Sequence, residues 1–358
     1  MNRIQTPRRL AEMCLQRAMQ FGVIAGVAAA LATPSQSDAQ DKVLNLYSAR
    51  HYQTDEALYS DFTKQTGIKI NRIEAGDEQL LQRLKAEGAN SPADVLILVD
   101  AARLWRAQID GLFQPVDSKL LNERIPVQLR SNDGTWYGLS TRARAIVYNK
   151  ANVKPEDVDT YEELADPKNK GKVCTRSGSH PYMLSLIGSR VESMGEAGAE
   201  QWAKGIVANM ARPPSGGDTD QIKAVAAGEC GVAVTNTYYW VRLMRSSDPK
   251  DKDIVSRVGF VWPNQSGAGA HVNIAGGGVA KNAPNKTNAI AFLEYLSSPS
   301  AQTYFANGNN EFPAAKGATL NNLELTSLGS FKQEQIAVST MGKNTIAAQR
   351  ILDRVGYR

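Results

Sequence analysis

An α/β protein is predicted, built as two doubly wound lobes that meet across a hinged cleft. Three observations predict it. Strand and helix patterns alternate five times within about 60 residues after the N-terminal segment. One of those strands, Ala93-Asp94-Val95-Leu96-Ile97-Leu98-Val99, is an almost unbroken apolar run, the mark of a strand covered on both faces of a parallel sheet. A second strand–helix alternation begins near Lys172 and ends near Thr235.

The elements follow in order. Val43-Leu44-Asn45-Leu46-Tyr47 alternates and reads as the first strand; Ala57, Leu58 and Phe62 have helical spacing within Thr54 to Gln65. Ile68 to Ile73 alternates again, and a helix starts at Gly76-Asp77-Glu78 and ends near Gly88. The run ending at Val99 follows. Gly134 to Asn149 reads as a turn and a long strand, and Pro155 to Leu164 as a capped loop with a short helix. The second alternation comprises a strand near Lys172-Val173-Cys174, helices at Met183–Met194, Gly198–Asn209 and Asp218–Ala227, and a strand at Gly231–Thr235. Asp218 and Thr219 read as a helix cap. Val258–Trp262 is another strand, and Asn273–Ala280 returns the chain to the first lobe. Its Gly276-Gly277-Gly278 lacks the spacing of a phosphate loop and suits close backbone packing or a hinge. Helices are expected at Ala289–Leu296, at Pro299–Asn307 and near Thr345–Val355. This divides the chain into lobe 1, residues 40–140 plus about 265–315, and lobe 2, about 141–264 plus 316–358.

The first 39 residues read as a secretory signal: a basic start (Arg3, Arg8, Arg9, Arg17), an apolar stretch from Phe21 to Leu31, and Ser37-Asp38-Ala39 before a cut near Gln40. Removing it lowers the formal charge from +5 to +3, because it carries four Arg against Glu12 and Asp38. No Lys/Arg run points to nucleic acid. Of the three cysteines, Cys14 precedes the apolar stretch; Cys174 and Cys230 remain, an even count that in an exported protein suggests a disulfide, with two buried thiols as the alternative.

Tyrosines carry the functional signal. Tyr238 and Tyr239 follow the apolar run Val232-Ala233-Val234 and precede a helix; Tyr52 and Tyr182 sit at similar corners. In open α/β sheets such corners face the ligand crevice. Phenolate is a hard oxygen ligand, and a cluster of phenolates suits a hard trivalent ion such as Fe3+. Softer ions prefer imidazole and thiolate, and Ca2+ would recruit carboxylates. A free phenol has pKa ~10, so ionising one at pH 7 costs ~4 kcal/mol and four cost on the order of 16 kcal/mol, which only a highly charged ion repays.

Several stretches together resemble the periplasmic ferric-iron-binding proteins of bacterial ABC transporters. They are Leu46-Tyr47-Ser48-Ala49-Arg50-His51-Tyr52, Ser91-Pro92-Ala93-Asp94-Val95, Trp136-Tyr137-Gly138-Leu139-Ser140-Thr141-Arg142-Ala143-Arg144, Asn236-Thr237-Tyr238-Tyr239 and Phe292 to Gln302. The Tyr-Tyr pair and the Arg-Ala-Arg strand are the specific parts. The resemblance implies the periplasmic-binding-protein type II fold and a periplasmic, non-enzymatic solute-binding protein. Such a protein delivers Fe3+, its transported ligand, to an inner-membrane ABC permease with its ATPase, and is expected to be a monomer.

One branch of the family completes its site with a His, a Glu and a bound anion. His51 matches the His, but Val99 stands at the Glu position, and the neighbouring Asp100 points to the opposite face. The other branch, which includes cyanobacterial iron-uptake proteins, uses more tyrosines, and Tyr52 and Tyr182 stand where it places them. The implied ligands are therefore Tyr52, Tyr182, Tyr238 and Tyr239, with His51 as an additional candidate and little or no need for an anion. Arg142 matches a position close to the metal and is expected to offset the single negative charge of four phenolates around Fe3+, with Arg242 a weaker candidate. His180 and His271 read as surface or loop residues.

Two other readings compete. The same fold could bind an oxyanion, a polyamine or a thiamine-like cation, the latter two stacked on the tyrosines. An exported metal-dependent hydrolase would need a nucleophile elbow, an H-E-x-x-H run or a carboxylate pair, and none is present.

Overall fold

The apolar strands expected from the sequence assemble into a mixed nine-stranded sheet in a computed structural model that describes residues 42–50 and 52–358. The signal segment, the cut near Gln40 and His51 lie outside the described residues. The strands are β1 (Val43–Ser48), β2 (Lys69–Glu74), β3 (Val95–Val99), β4 (Tyr137–Asn149), β5 (Val173–Cys174), β6 (Val232–Asn236), β7 (Val258–Val261), β8 (Val272–Val279) and β9 (Phe312–Pro313). Their order is β2-β1-β3-β8-β4-β6-β5, with β7 and β9 also pairing with β4. β1 runs parallel to β2 and β3, and β5 runs parallel to β6.

The long strand β4 joins the two sheet regions. Tyr137–Ala143 pair antiparallel with β8, and Arg144–Tyr148 pair antiparallel with β6. Arg142 and Arg144 therefore flank the handover. β8 pairs antiparallel with β3, Val99 opposite Ala275. Its three glycines are required by packing. A Cβ on Gly276 would lie 2.7 Å from Leu104 Cδ1, and one on Gly278 would collide with the Thr135 carbonyl oxygen.

Helices cover the sheet. They are α1 (Asp55–Thr66), α2 (Asp77–Glu87), α3 (Ala101–Ile109), α4 (Lys119–Arg124), α5 (Pro181–Asn209), α6 (Asp218–Ala227), α7 (Thr237–Arg245), α8 (Pro249–Arg257), α9 (Lys286–Leu296), α10 (Pro299–Asn309), α11 (Leu323–Thr326), α12 (Val338–Lys343) and α13 (Thr345–Arg354). α5 is two helical segments, as expected at 183–194 and 198–209, separated by a kink at Gly195, whose φ of 74° and ψ of 165° are not helical. Sequence periodicity missed α3, α4, α8, α11 and α12. α3 begins one residue after β3, so no loop separates the two patterns. Asp218 is the first residue of α6 rather than its cap; Gly217 holds the cap position. Among the described residues no helix is long and apolar enough to cross a membrane.

Two main cores result. Leu44, Leu46, Phe62, Val95, Ile97, Phe292 and Phe305 pack around β1 and β3. Ile146, Met183, Ile187, Trp202, Val232 and Ile351 pack around the second sheet region. Val338 and Met341 of α12 pack with Leu98, Leu104 and Ile274.

Cys174 and Cys230 form a disulfide with Cα atoms 5.9 Å apart, closing a separation of 56 residues. It ties the end of β5 to the residues just before β6, the two strands whose following corners carry Tyr182 and Tyr238. A closed loop of that length restricts the unfolded chain by ~4 kcal/mol. Exchange of both cysteines for serine should lower the unfolding free energy extrapolated from urea denaturation by about that amount, read against the oxidised protein.

A tyrosine cluster at the carboxyl ends of the strands

Each candidate ligand is placed by a strand-to-helix corner. Tyr52 follows β1 and its carbonyl accepts a hydrogen bond from Asp55 N at 3.0 Å, which starts α1. Tyr182 lies in the first turn of α5. There His180 Nδ1 accepts from Tyr182 N at 3.2 Å, and Pro181 supplies the fixed φ of the first helical position. Tyr238 and Tyr239 occupy the first turn of α7 directly after β6.

The structure brings these four side chains together. The hydroxyls of Tyr182 and Tyr238 are 3.0 Å apart. The Tyr52 ring meets Tyr238 edge to face at a centroid distance of 6.2 Å, and Tyr239 lies against Tyr238 at 4.2 Å. Tyr238 is 2% exposed. Beside the cluster is a cavity of about 510 Å³ whose walls include Tyr182, Tyr239, Val99, Arg176 and His180. Val99, at the place where a carboxylate ligand was sought, presents only hydrocarbon. Asp100 turns its carboxylate away, to Ala102 N, Ser185 Oγ and Asn273 Nδ2. Among the described residues no group of three or more His, Cys, Asp or Glu is placed to hold a metal ion. Two carboxylates, Glu74 and Asp77, also line this cavity, and Asp77 Oδ1 accepts from Val99 N at 2.8 Å.

A guanidinium faces every ring of the set. Arg50 lies 4.8 Å from the centre of Tyr52, Arg142 5.7 Å from Tyr238, Arg144 and Arg176 5.7 and 5.3 Å from Tyr182, and Arg242 5.4 Å from Tyr239. Arg50 and Arg142 are buried and share Glu311: Arg50 Nη1 at 3.0 Å and Arg142 Nη2 at 2.7 Å. Arg50 also binds Asp55 at 2.8 Å. Arg144 holds Asp218 at 2.6 Å, with Arg176 3.5 Å from the same carboxylate. Four of the five guanidiniums thus meet only three carboxylates, an excess of positive charge beside the phenols. Arg142 keeps Nε and Nη1 without a hydrogen-bond partner, and Asn236 Nδ2 and Arg144 Nε are likewise unpaired. These are buried donors waiting for acceptors, which neutral phenols satisfy poorly and phenolates well.

Electrostatics sharpen the point. Burial pushes the phenols of Tyr52, Tyr182 and Tyr238 above their ordinary value, and the neighbouring tyrosines push in the same direction while Arg142 pulls back. For Tyr52, Glu311 is the largest electrostatic contribution after burial. Without a cation Tyr52, Tyr182 and Tyr238 are neutral phenols. Burial likewise opposes ionisation of Glu311, yet Arg50 and Arg142 hold its carboxyl below the usual range. That contribution to stability is in place above the ordinary carboxylate range and is lost only as pH falls through the lowered value.

Glu311, Arg50 and Arg176 were not identified as site residues from sequence. Arg50 stands in the Tyr52 motif, where the tyrosine drew attention. Glu311 sits among asparagines with no local pattern, and its partners lie 261 and 169 residues away. Removing its carboxylate by Glu311→Ala would leave two buried guanidiniums short of a partner. A loss of about 3–5 kcal/mol is expected in chemical denaturation. His271 is a correction: it is fully buried, its Nδ1 2.5 Å from Glu334 Oε1, because β8 carries it under the C-terminal segment. His180 is half-buried at the cavity wall rather than free on the surface.

Comparison with known proteins places the chain in a family. The family described as "Bacterial extracellular solute-binding protein" matches residues 57–328. The chain is similar to iron uptake protein A1 of Synechocystis sp., 49% identical over 324 residues that cover 90% of each chain. It is also similar to the major ferric iron-binding protein of Neisseria meningitidis, 26% identical over 349 residues, 96% of this chain and 100% of that one. Among solved structures it resembles a Trichodesmium protein (IdiA, FutA) in complex with iron and citrate ligands, with a TM-score of 0.85 and 54% identity, covering 88% of this chain and all (100%) of that one. A ferric binding protein from Campylobacter jejuni superposes with a TM-score of 0.84 at 41% identity, again over 88% of this chain and 100% of the other. The shared architecture is the type II periplasmic-binding fold. With its sheet order, its cleft at the strand ends and this match along most of its length, the chain belongs to the bacterial extracellular solute-binding protein family.

Proposed function

We propose that this protein captures Fe3+ outside the cytoplasm and delivers it to an inner-membrane ABC permease with its ATPase. The observation that carries the reading is the clustering of Tyr52, Tyr182 and Tyr239 around Tyr238, with the hydroxyls of Tyr182 and Tyr238 3.0 Å apart. The names of the relatives, iron uptake and ferric iron binding, support the same ligand. The four phenols become phenolates around the ion, Arg142 with its two unpaired donors faces them, and the excess guanidinium charge offsets the single negative charge of the complex.

Capture follows from the chain path. Tyr52 belongs to lobe 1 (residues 40–140 plus about 265–315) and the other three tyrosines to lobe 2 (about 141–264 plus 316–358). An ion held by both lobes favours their closure. His51, next to Tyr52, is an additional ligand candidate. The signal at residues 1–39 directs the chain to the periplasm, where it works as a monomer and without catalysis.

Titration of the purified protein with a ferric chelate tests the reading. Phenolate-to-iron charge transfer should colour it in proportion to one ion per chain. A colourless protein that instead shows calorimetric binding of an oxyanion, a polyamine or a thiamine-like cation would overturn the assignment.

A further inference from the structure

Asp100 is a buried residue in a backbone conformation that L side chains rarely adopt, φ 109° and ψ 138°. Glycine would occupy that conformation without steric strain. The side chain must therefore supply something glycine cannot. Its Oδ1 accepts from Ala102 N at 2.8 Å, capping α3, and from the hydroxyl of Ser185. Its Oδ2 accepts from Asn273 Nδ2 at 2.9 Å. Asn273 in turn accepts from Ala101 N at 2.9 Å and Ile274 N at 2.8 Å, and sits opposite Arg142 in the β4–β8 ladder. Asp100 N donates to Ile274 O at 3.0 Å. One carboxylate thus fastens the end of β3, the start of α3, strand β8 and helix α5.

Ser185 is the informative partner. It is fully buried and lies three residues after Tyr182 on α5. Residues three apart on a helix share a face. A hydrogen bond that fixes Ser185 therefore fixes the rotation of the turn presenting the Tyr182 phenol. The capping bond explains an Asp at position 100, but the bond to Ser185 is not needed to start α3.

We propose that Asp100 is a positioning residue, which through Ser185 holds the Tyr182 turn of α5 in register with the other phenols. The proposal rests on the tyrosine cluster being the iron site. It predicts that the Asp100–Ser185 bond matters to iron only by way of Tyr182.

The test is a double-mutant cycle on the mature protein, read by the charge-transfer spectrum and by the rate of iron loss to excess chelator. Ser185→Ala should release iron about tenfold faster, the scale set by losing one hydrogen bond to a charged group. Its band should move toward that of Tyr182→Phe, and Ser185→Thr, which retains the hydroxyl, should restore the native rate. In the Tyr182→Phe background, Ser185→Ala should add nothing. Native release by Ser185→Ala, or an equal acceleration in both backgrounds, overturns the proposal. Should Ser185→Ala not fold, Asp100→Asn enters the same cycle. Fluorine NMR of the iron-free protein labelled with fluorotyrosine gives an independent reading. The Tyr182 signal should shift in Ser185→Ala while that of Tyr52 stays, and an unmoved Tyr182 signal counts against the proposal even if no iron colour is seen. Absence of colour in the unaltered protein would instead defeat the iron reading.

Discussion

Phenylalanine at position 238 should bleach the iron-dependent colour and weaken ferric binding by more than ~100-fold. That bound follows because loss of an outer partner to a metal ligand already costs about 10–100-fold, and Tyr238 is itself a proposed ligand. Its position makes it the most sensitive of the four. Its hydroxyl meets that of Tyr182 at 3.0 Å, and its ring touches both Tyr52 and Tyr239. It is also the tyrosine whose burial leaves least room for water to replace the lost oxygen. The substitution retains the ring, so packing against Tyr239 and Tyr52 survives and the fold should be intact. Competition against a chelator of known affinity measures the effect. Retention of native affinity by Tyr238→Phe would remove Tyr238 from the ligand set.

A steep pH dependence is the second large effect. Burial raises the phenols of Tyr52, Tyr182 and Tyr238 in the ion-free protein, reinforced by Glu311 at Tyr52 and by the neighbouring tyrosines at Tyr182 and Tyr238. Throughout the neutral range these groups carry their protons, and Fe3+ must displace them. Each displaced proton contributes a factor of about ten per pH unit, so three give an apparent affinity falling by roughly 1,000-fold for each unit of acidification. The sign is fixed: acid favours the phenols, alkali the complex. His180 does not confuse the profile, because burial and then Arg176, Arg144 and Arg103 push its imidazole down to about 3. Proton release on ferric binding, followed in weakly buffered solution, should reach about three per ion or more. A pH-independent affinity between mildly acid and neutral solution would show that the phenols are not the ligands.

Much of this was legible in the chain. The buried strand Val95–Val99 was legible because it carries no polar alternation, although it runs parallel to β1 and antiparallel to β8 rather than inside an all-parallel sheet. The tyrosine corners were legible because a strand end and a helix start are local features a few residues long. The pleat, which sends neighbouring side chains to opposite faces, left Asp100 out of the expected ligands, and its carboxylate turns to Ala102 N, Ser185 Oγ and Asn273 Nδ2. Illegible were the short connections that leave periodicity no room, as between β3 and α3, and polar residues whose meaning lies in distant partners. His271 looked like a loop residue because nothing nearby discloses the segment that buries it against Glu334.

Sequence alone determined the inventory: hard oxygen donors at strand ends, few soft donors, a cysteine pair, and alternating strands and helices that demand layered α/β packing. Those properties depend on neighbours within one or two turns of the chain. Only the tertiary structure decided which phenols meet, that Glu311 is shared by Arg50 and Arg142, and that Asp100 reaches Ser185 across 85 positions. Such contacts arise when separate elements dock and bury charge together, a long-range event for which local spacing holds no record.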